Sequence, residues 1–246
     1  MAGLLLAAGG LAGTAAQAAK PDASAVSGSV TVVSDYLFRG LSQTDSQPAL
    51  QVGIGYTAPQ GFHASAWSSN VSWLSDGSTA AAPISNSLEF DADVGWLTTF
   101  SHGMSLNAGL HGYDYPGRYP HGFTSPNTAE AYVGLGFAGL SLTYSHALTN
   151  LFGFDHSRNS RYLDLSWSRV ITPGWTLSAH AGHQVVTHAS HADYNDWNLA
   201  LAHDFSSGCA VALGYYDTNA KRAVYSNARG RYLGRATAVL SLSKSF

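Results

Sequence analysis

The sequence predicts an all-β protein, a transmembrane, antiparallel, up-and-down β-barrel of about 12 strands. Three observations predict it. Terse and long links take strict turns along the whole chain, and the segments between them alternate apolar and polar residues with period two. Charge is also scarce: 11% of the 246 residues are charged, against about 25% in an ordinary soluble domain. That deficit points to a surface facing something other than water. No segment beyond the first 19 residues offers the roughly 18 apolar residues of a spanning helix.

The strands are expected near 28–38, 47–58, 61–73, 87–100, 103–114, 128–138, 139–149, 160–171, 174–187, 194–205, 208–217 and 234–246. The first ends where Arg39-Gly40 opens a long link over 39–47. Pro48 begins the second strand, where a residue need not donate to the ladder, and Leu50, Val52, Ile54 and Tyr56 alternate with Gln51, Gly53, Gly55 and Thr57. Pro59-Gln60 turns the chain into the third strand, the least regular, with Ala64 and Ala66 facing one way and Trp67, Val71 and Trp73 the other. After a link over 74–86 comes the clearest segment. There Leu88, Phe90, Ala92, Val94 and Trp96 share one face, and Glu89, Asp91, Asp93 and Gly95 the other. Ser101-His102-Gly103 separates it from the fifth strand, and a link over 116–127 leads to the sixth.

Ala138-Gly139 joins the sixth strand to the seventh, and a link over 150–159 precedes the eighth. Thr172-Pro173-Gly174 joins the eighth to the ninth, where Trp175, Leu177, Ala179 and Ala181 oppose Thr176, Ser178, His180 and Gly182. A link over 188–193 leads to the tenth, where Trp197, Leu199, Leu201 and Phe205 oppose Asp196, Asn198 and Asp204. Ser206-Ser207-Gly208 precedes the eleventh strand, and a link over 218–233 the last, with Ala236, Ala238, Leu240 and Leu242 opposite Arg235, Thr237, Ser241 and Ser243. Long loops at one rim and tight turns at the other are the pattern of an outer-membrane barrel. Inverting the faces would bury acids and leave the apolar sides in water.

Aromatic residues are expected to form two girdles at the membrane interfaces. One comprises Tyr56, Phe62, Phe100, Phe137, Trp175, Phe205 and Phe246 near the tight turns. The other comprises Tyr36, Phe38, Trp73, Tyr113, Tyr144, Tyr162, Trp197 and Tyr215 near the long loops. Residues 1–19 read as a signal peptide, apolar and small with an Ala16-Gln17-Ala18 cleavage signal, although no Lys or Arg precedes the apolar run. Residues 20–246 form the barrel. Phe246, ending an alternating strand, reads as the signal for the barrel-assembly machinery, and Lys244 departs from its pattern. The single Cys209 precludes an intramolecular disulfide.

The run Val33-Ser34-Asp35-Tyr36-Leu37-Phe38-Arg39-Gly40-Leu41-Ser42-Gln43-Thr44, then Gln47-Pro48-Ala49-Leu50-Gln51-Val52-Gly53, carries a family pattern. S-D-Y-x-F-R-G-x-S-Q-T followed by P-A-x-Q resembles the TorF-type porin family, proteobacterial outer-membrane proteins of unknown function. The match covers the first hairpin; the rest of the chain agrees in length, strand pattern and terminal Phe. The resemblance implies an outer-membrane location and pore activity, and names no substrate. Within this run Asp35 and Arg39 either pair, line the outer vestibule or set the hairpin's geometry.

By parity Glu89, Asp91, Asp93, Glu130, Asp164, Asp196 and Asp204 point into the lumen, with His180, Gln184 and Arg235. Lys221, Arg222, Arg229 and Arg231 crowd the last long loop, which reads as a solvated rim or a contact for outer-leaflet lipid phosphates, lipopolysaccharide included, or an anionic solute. His180, His183, His188 and His191 resemble a metal cluster, but His180 and His183 fall on opposite strand faces and the other two in a loop. Metal-binding spacing on a strand is i, i+2. His146 and His203 sit on apolar faces, and no G-x-S-x-G nucleophile motif occurs. The sequence therefore implies no metal, no cofactor and no enzyme, and the net charge of −3 argues against nucleic acid. It supports a narrow diffusion channel for small polar solutes or ions, with weak cation preference. The alternatives are a lipid-acting barrel enzyme and a closed structural or adhesive barrel.

Overall fold

The computed structural model describes residues 24–246, so the expected signal peptide at 1–19 lies outside the described residues. Twelve antiparallel strands close into a barrel, each hydrogen-bonded to its sequence neighbour, the first to the last. They are β1 (Ala25–Val33), β2 (Ala49–Thr57), β3 (Phe62–Asn70) and β4 (Leu88–Thr99). There follow β5 (Ser105–Asp114), β6 (Thr128–Phe137), β7 (Leu140–Ala147) and β8 (Arg161–Thr172). The last four are β9 (Trp175–Val185), β10 (Tyr194–Asp204), β11 (Cys209–Thr218) and β12 (Thr237–Ser245). All the expected strands are present. The tight turns use left-handed backbone: Ala138 (φ 51) and Gly139 (φ 84) form a two-residue connection between the paired Phe137 and Leu140, the twist that suits a hairpin.

Period two decides which way each side chain faces. On β4, Leu88, Phe90, Val94 and Trp96 are exposed while Glu89, Asp91 and Asp93 are buried. The same outward exposure recurs at Val52 and Ile54, Leu110, Val133 and Leu135, Leu163 and Leu165, Leu199, Leu213, and Leu240 and Leu242. A soluble monomer seldom exposes a contiguous apolar patch above a few hundred Å². A continuous aliphatic belt around a closed sheet is the outer-membrane arrangement.

The girdles divide. Near the tight turns Tyr56, Phe100, Phe137, Trp175, Phe205 and Phe246 face outward as expected. Near the long loops only Tyr144, Trp197 and Tyr215 do so. Tyr36, Tyr113 and Tyr162 are buried, and Phe38 and Trp73 pack against the buried cluster that holds Tyr36 and Tyr113. The expected outer girdle is corrected for these five: Tyr113 and Tyr162 have the inward parity, and the other three lie in segments that have left the sheet. The first strand was expected to run to 38 but ends at Val33, because the chain then turns away from the wall.

The barrel closes where β1 meets β12 over five residue pairs, Ser29↔Ser245 to Val33↔Ser241. Outside that ladder, Phe246 N donates to Gly28 O at 2.9 Å and Ser34 N to Leu240 O at 2.9 Å. Lys244, outward by parity, reaches back to the Ser207 carbonyl at the neighbouring tight turn, which takes its charge out of the apolar belt. Deleting Phe246 should therefore weaken the closing seam as well as remove a terminal aromatic. The folded, heat-modifiable species on an unheated gel should decrease while export continues. An unchanged folded fraction would show that the terminal residue contributes nothing to assembly.

Candidate pore constriction and vestibule

The first long loop builds the constriction. Leu37–Phe38 and Leu41–Ser42 pair as a miniature hairpin, turned by Arg39 (φ 47) and Gly40 (φ 76). Two consecutive left-handed residues make the tight turn that matches strand twist. Gly40 is required for a second reason: a Cβ there would sit 2.7 Å from the Asp196 Cβ on β10. The tip thus reaches across the lumen from β1 to the far wall.

At that tip the Arg39 guanidinium meets Glu130 of β6, with Nη2 donating to Oε2 at 2.6 Å and Nη1 to Oε1 at 3.2 Å. Nη1 also donates to Gln184 Oε1 of β9 at 2.8 Å. Its carbon lies 4.2 Å from the Tyr162 ring centre and 4.9 Å from that of Phe38. The side chains of Arg39 and Glu130 are 7% and 2% exposed. A desolvated charge needs such a fork of partners, and planar guanidinium satisfies a carboxylate with two parallel bonds.

Asp35 and Arg39 do not pair, and Arg39 is inside the barrel rather than on the rim. Asp35 anchors the hairpin's foot: Ser42 Oγ donates to its Oδ1 at 2.6 Å, and Thr44 Oγ1 lies 3.2 Å from the same oxygen. Burial pushes the Asp35 carboxyl above the usual carboxylate range, offset in part by those hydroxyls.

Strand register brings the expected lumen residues into two groups on either side of the tip. On one side Asp93 lies opposite His111, which is 3.4 Å from both Asp91 and Asp93, while His63 is 3.3 Å from Asp93. Tyr115 donates to Glu89 Oε1 at 2.9 Å and Tyr113 to Glu130 Oε2 at 3.3 Å. On the other side Tyr162 donates to Asp196 at 2.8 Å. His180 sits 2.8 Å from Asp164 and 3.1 Å from Asp196. The carboxylates are not the bare ladder that parity alone implies, because each has a histidine, tyrosine or arginine partner. His63, His111, Tyr113 and Tyr132 were missed among the site residues. The alternation of Asn107, Gly109, His111 and Tyr113 with Leu106, Ala108 and Leu110 would have exposed two of them.

Glycines make room for these side chains. A Cβ at Gly95 or Gly109 would collide with the Tyr132 hydroxyl, and one at Gly182 with the Tyr162 ring, so each tyrosine lies flat across a neighbouring strand. Toward the tight turns the lining is small: Gly53 and Gly55 abut Ser29 and Ser27, and Gly134 abuts Thr143. The Arg39 tip thus fills the lumen in the long-loop half.

Two expected lumen residues lie at the ends of their strands, away from the buried groups. Asp204 is exposed at the tight-turn end of β10, and Arg235 is exposed before β12 begins. Parity fixes a face but not the depth at which a strand ends. Arg229 and Arg231 lie at the long-loop mouth beside Asp45 (4.0 and 3.3 Å), with Arg229 3.4 Å from Asp76, and Arg222 stacks on Tyr232. Lys221 is exposed in the same loop. His183 faces outward beside Asn195 (2.8 Å), apart from His180, while His188 and His191 lie in the following loop.

Ser166, His180, Asp164 and Asp196 form a cluster reminiscent of a hydrolase triad, but the geometry opposes that chemistry. Ser166 donates to Asp164 at 2.7 Å, and His180 Nδ1 is nearer Asp164 (2.8 Å) than Ser166 (3.3 Å). The serine proton is thus held by the Asp164 carboxylate instead of the His180 imidazole.

Above the tip the loops enclose a vestibule of about 310 Å³. It is walled by Phe38, Trp73, Tyr115, Phe152, Phe154 and Tyr225, among others, with Arg39 and Gln184 also in its lining. The loops are laced together across it: Ser72 N donates to Gln43 O, Ser42 N to Leu233 O, and the Tyr225 hydroxyl to Ala192 O.

Removing one member of a buried ion pair strands the other charge, at about 3–5 kcal/mol. Glu130→Leu should therefore release the hairpin, and amide hydrogen exchange at Ser42 and Gln43 should accelerate while the barrel amides of β7 and β8 stay protected. Unchanged protection at Ser42 and Gln43 would show that the clamp does not hold the loop.

A family model described as "Bacterial protein of unknown function (Gcw_chp)" matches residues 15–246. No curated protein matches the sequence. Among solved structures the barrel is similar to the KdgM porin, with TM-score 0.57 and 11% identity over 89% of this chain and 99% of that one. It is also similar to the KdgM porin in complex with disordered oligogalacturonate (0.55, 11%, 91% and 99%) and to the NanC porin (0.53, 13%, 89% and 98%). At these identities the likeness is one of fold. The matched family carries no TorF name, so that finer resemblance rests on the motif in the first hairpin alone. The chain belongs to the Gcw_chp family of bacterial proteins, and its fold is that of a porin-type barrel.

Proposed function

We propose that this protein is a narrow outer-membrane channel for passive diffusion of small polar solutes or ions, with a weak preference for cations. The observation that carries this reading is a closed barrel with a polar interior, narrowed at one level by the inward hairpin tip. Eight-stranded barrels are filled by side chains and those of 16–18 strands leave an aqueous channel. A 12-stranded bore narrowed by a loop fits solutes of limited size. The TorF-like motif over the first hairpin supports the same location and activity.

The sign of selectivity follows from the charges near the constriction. Glu89, Asp91, Asp93, Glu130 and Asp196 are buried there, and Arg39 forms its ion pair with Glu130. The histidines offset part of the remaining acid field, which makes the preference weak. An acidic sugar polymer such as the one in complex with the KdgM porin is a poor match for that interior. The basic last loop has acidic partners of its own at the mouth, which limits its reach into the lumen and leaves its outer side to lipid headgroups.

A closed structural barrel is the second reading, favoured by the extent of aromatic packing around the hairpin. It expects no conductance in the wild type. Planar-bilayer recordings under a salt gradient separate the two: the channel reading expects discrete conductance and a cation-directed reversal potential, reduced by Glu89→Gln/Asp91→Asn/Asp93→Asn. Anion preference in the wild type, or no response to neutralising all three acids, would overturn the assigned selectivity.

The orientation follows the loop lengths. In a Cys209→Ser background, single cysteines at Gly77 or Phe123 should react with an impermeant thiol reagent on intact cells, and those at Gln60 or Ser207 should not. Labelling at Gln60 would invert the topology.

A further inference from the structure

The vestibule has a chemistry of its own, distinct from the acidic lumen beneath it. Two runs of edge-to-face rings line it. In one, Trp73 meets Tyr115 at 5.4 Å, Tyr115 meets Phe152 at 6.5 Å and Phe152 meets Phe38 at 5.4 Å. In the other, Phe154 meets Tyr225 at 6.2 Å and Tyr225 meets Tyr194 at 5.2 Å. Among the described residues no carboxylate lines the cavity, and the single charged residue there, Arg39, is already paired with Glu130. Gln43, Gln184, Ser226 and Asn227 add neutral polar groups. Two further donors in these walls, Trp73 Nε1 and Asn227 Nδ2, have no acceptor among the described residues.

Resting on the channel reading above, we propose that this vestibule is a binding site for an uncharged saccharide ring, held before it passes the constriction. The cavity of about 310 Å³ lies at the small end of ligand sites, which run from about 300 to 1,000 Å³. That limits the occupant to one or two rings. Aromatic faces cover the apolar C–H faces of a pyranose, and the amides and guanidinium meet its hydroxyl edge. A purely hydrocarbon guest would leave those polar groups desolvated and unpaired. An anion would gain little from an Arg39 already neutralised by Glu130, and would face Glu89 and Asp91 below. A cation would find ring faces but no counter-charge in the lining.

The test uses the refolded full chain in detergent, with intrinsic tryptophan fluorescence as readout and Trp73 in the cavity wall as reporter. It is titrated separately with glucose, maltose, galacturonate and choline at constant ionic strength. Saturable changes are expected for glucose or maltose alone, lost from the signal in Trp73→Phe. Phe154→Leu, which keeps apolar volume but removes one ring, should weaken binding about tenfold. Heat-modifiability confirms that both variants fold. No saturation with either neutral sugar, or preferential saturation with galacturonate or choline, would overturn the site. Bilayer conductance measured on the same preparation keeps the two readings apart. Conductance without sugar binding removes the site alone, and sugar binding without conductance removes the channel.

Discussion

The geometry of the lumen depends on one buried ion pair. A guanidinium carried to the centre of a barrel loses its water, and across the lumen the carboxylate of Glu130, the amide of Gln184 and the face of Tyr162 replace it. Because those partners come from β6, β9 and β8, the charge can be satisfied at only one place in the cross-section. The hairpin that bears it is therefore held in one position. Such pairs contribute little net stability against an apolar alternative, but leaving one member alone is strongly unfavourable. The pair thus acts as a positional constraint on a loop that would otherwise be free to move, and it sets where the hairpin tip sits in the lumen.

Around that constraint the interior behaves as a polar core. The lumen carboxylates find partners from the loops, as Glu130 does in Arg39, and from strand register, which sets His111 across from Asp93 and leaves Gly182 across from Asp196. The last case shows why glycine is frequent on the inward face. With no Cβ at Gly182, the Tyr162 ring lies over the strand and its hydroxyl reaches Asp196 at 2.8 Å. Small residues facing large ones are how a barrel interior accommodates rings without expanding. Toward the tight turns more of the inward positions are glycine, serine and threonine, among them Ser27, Ser29, Gly53, Gly55, Gly134 and Thr143.

The loops extend the same logic outward. Their aromatic residues, which would serve as a membrane girdle if they faced lipid, instead pack on one another over the hairpin and enclose the vestibule. Arg229 and Arg231 fasten the last loop to acids of the first two. These exposed pairs are individually weak, and the backbone bonds between loops carry more of the ordering. A solute entering from the long-loop side would meet neutral, ring-lined walls before it met the acidic constriction.

The barrel class, the number of strands and the inward face of β4 were legible in the sequence, because period two is a local property and the lipid-facing sides repeat it on strand after strand. Turn chemistry was equally local: Ala138-Gly139 and Thr172-Pro173-Gly174 mark their hairpins without reference to the rest of the chain. Arg39 could be singled out as a residue of interest, but its partner lies 91 residues away, and nothing in the neighbourhood of either residue connects them. Which histidine meets which acid was hidden for the same reason, since the pairing depends on the register between strands. The fates of Tyr36, Phe38 and Trp73 were decided by two loops that left the wall where the sequence pattern continued a strand. Alternation determines the wall of this protein; only closure of the barrel, which brings distant strands to face one another across the lumen, decides what occupies its interior.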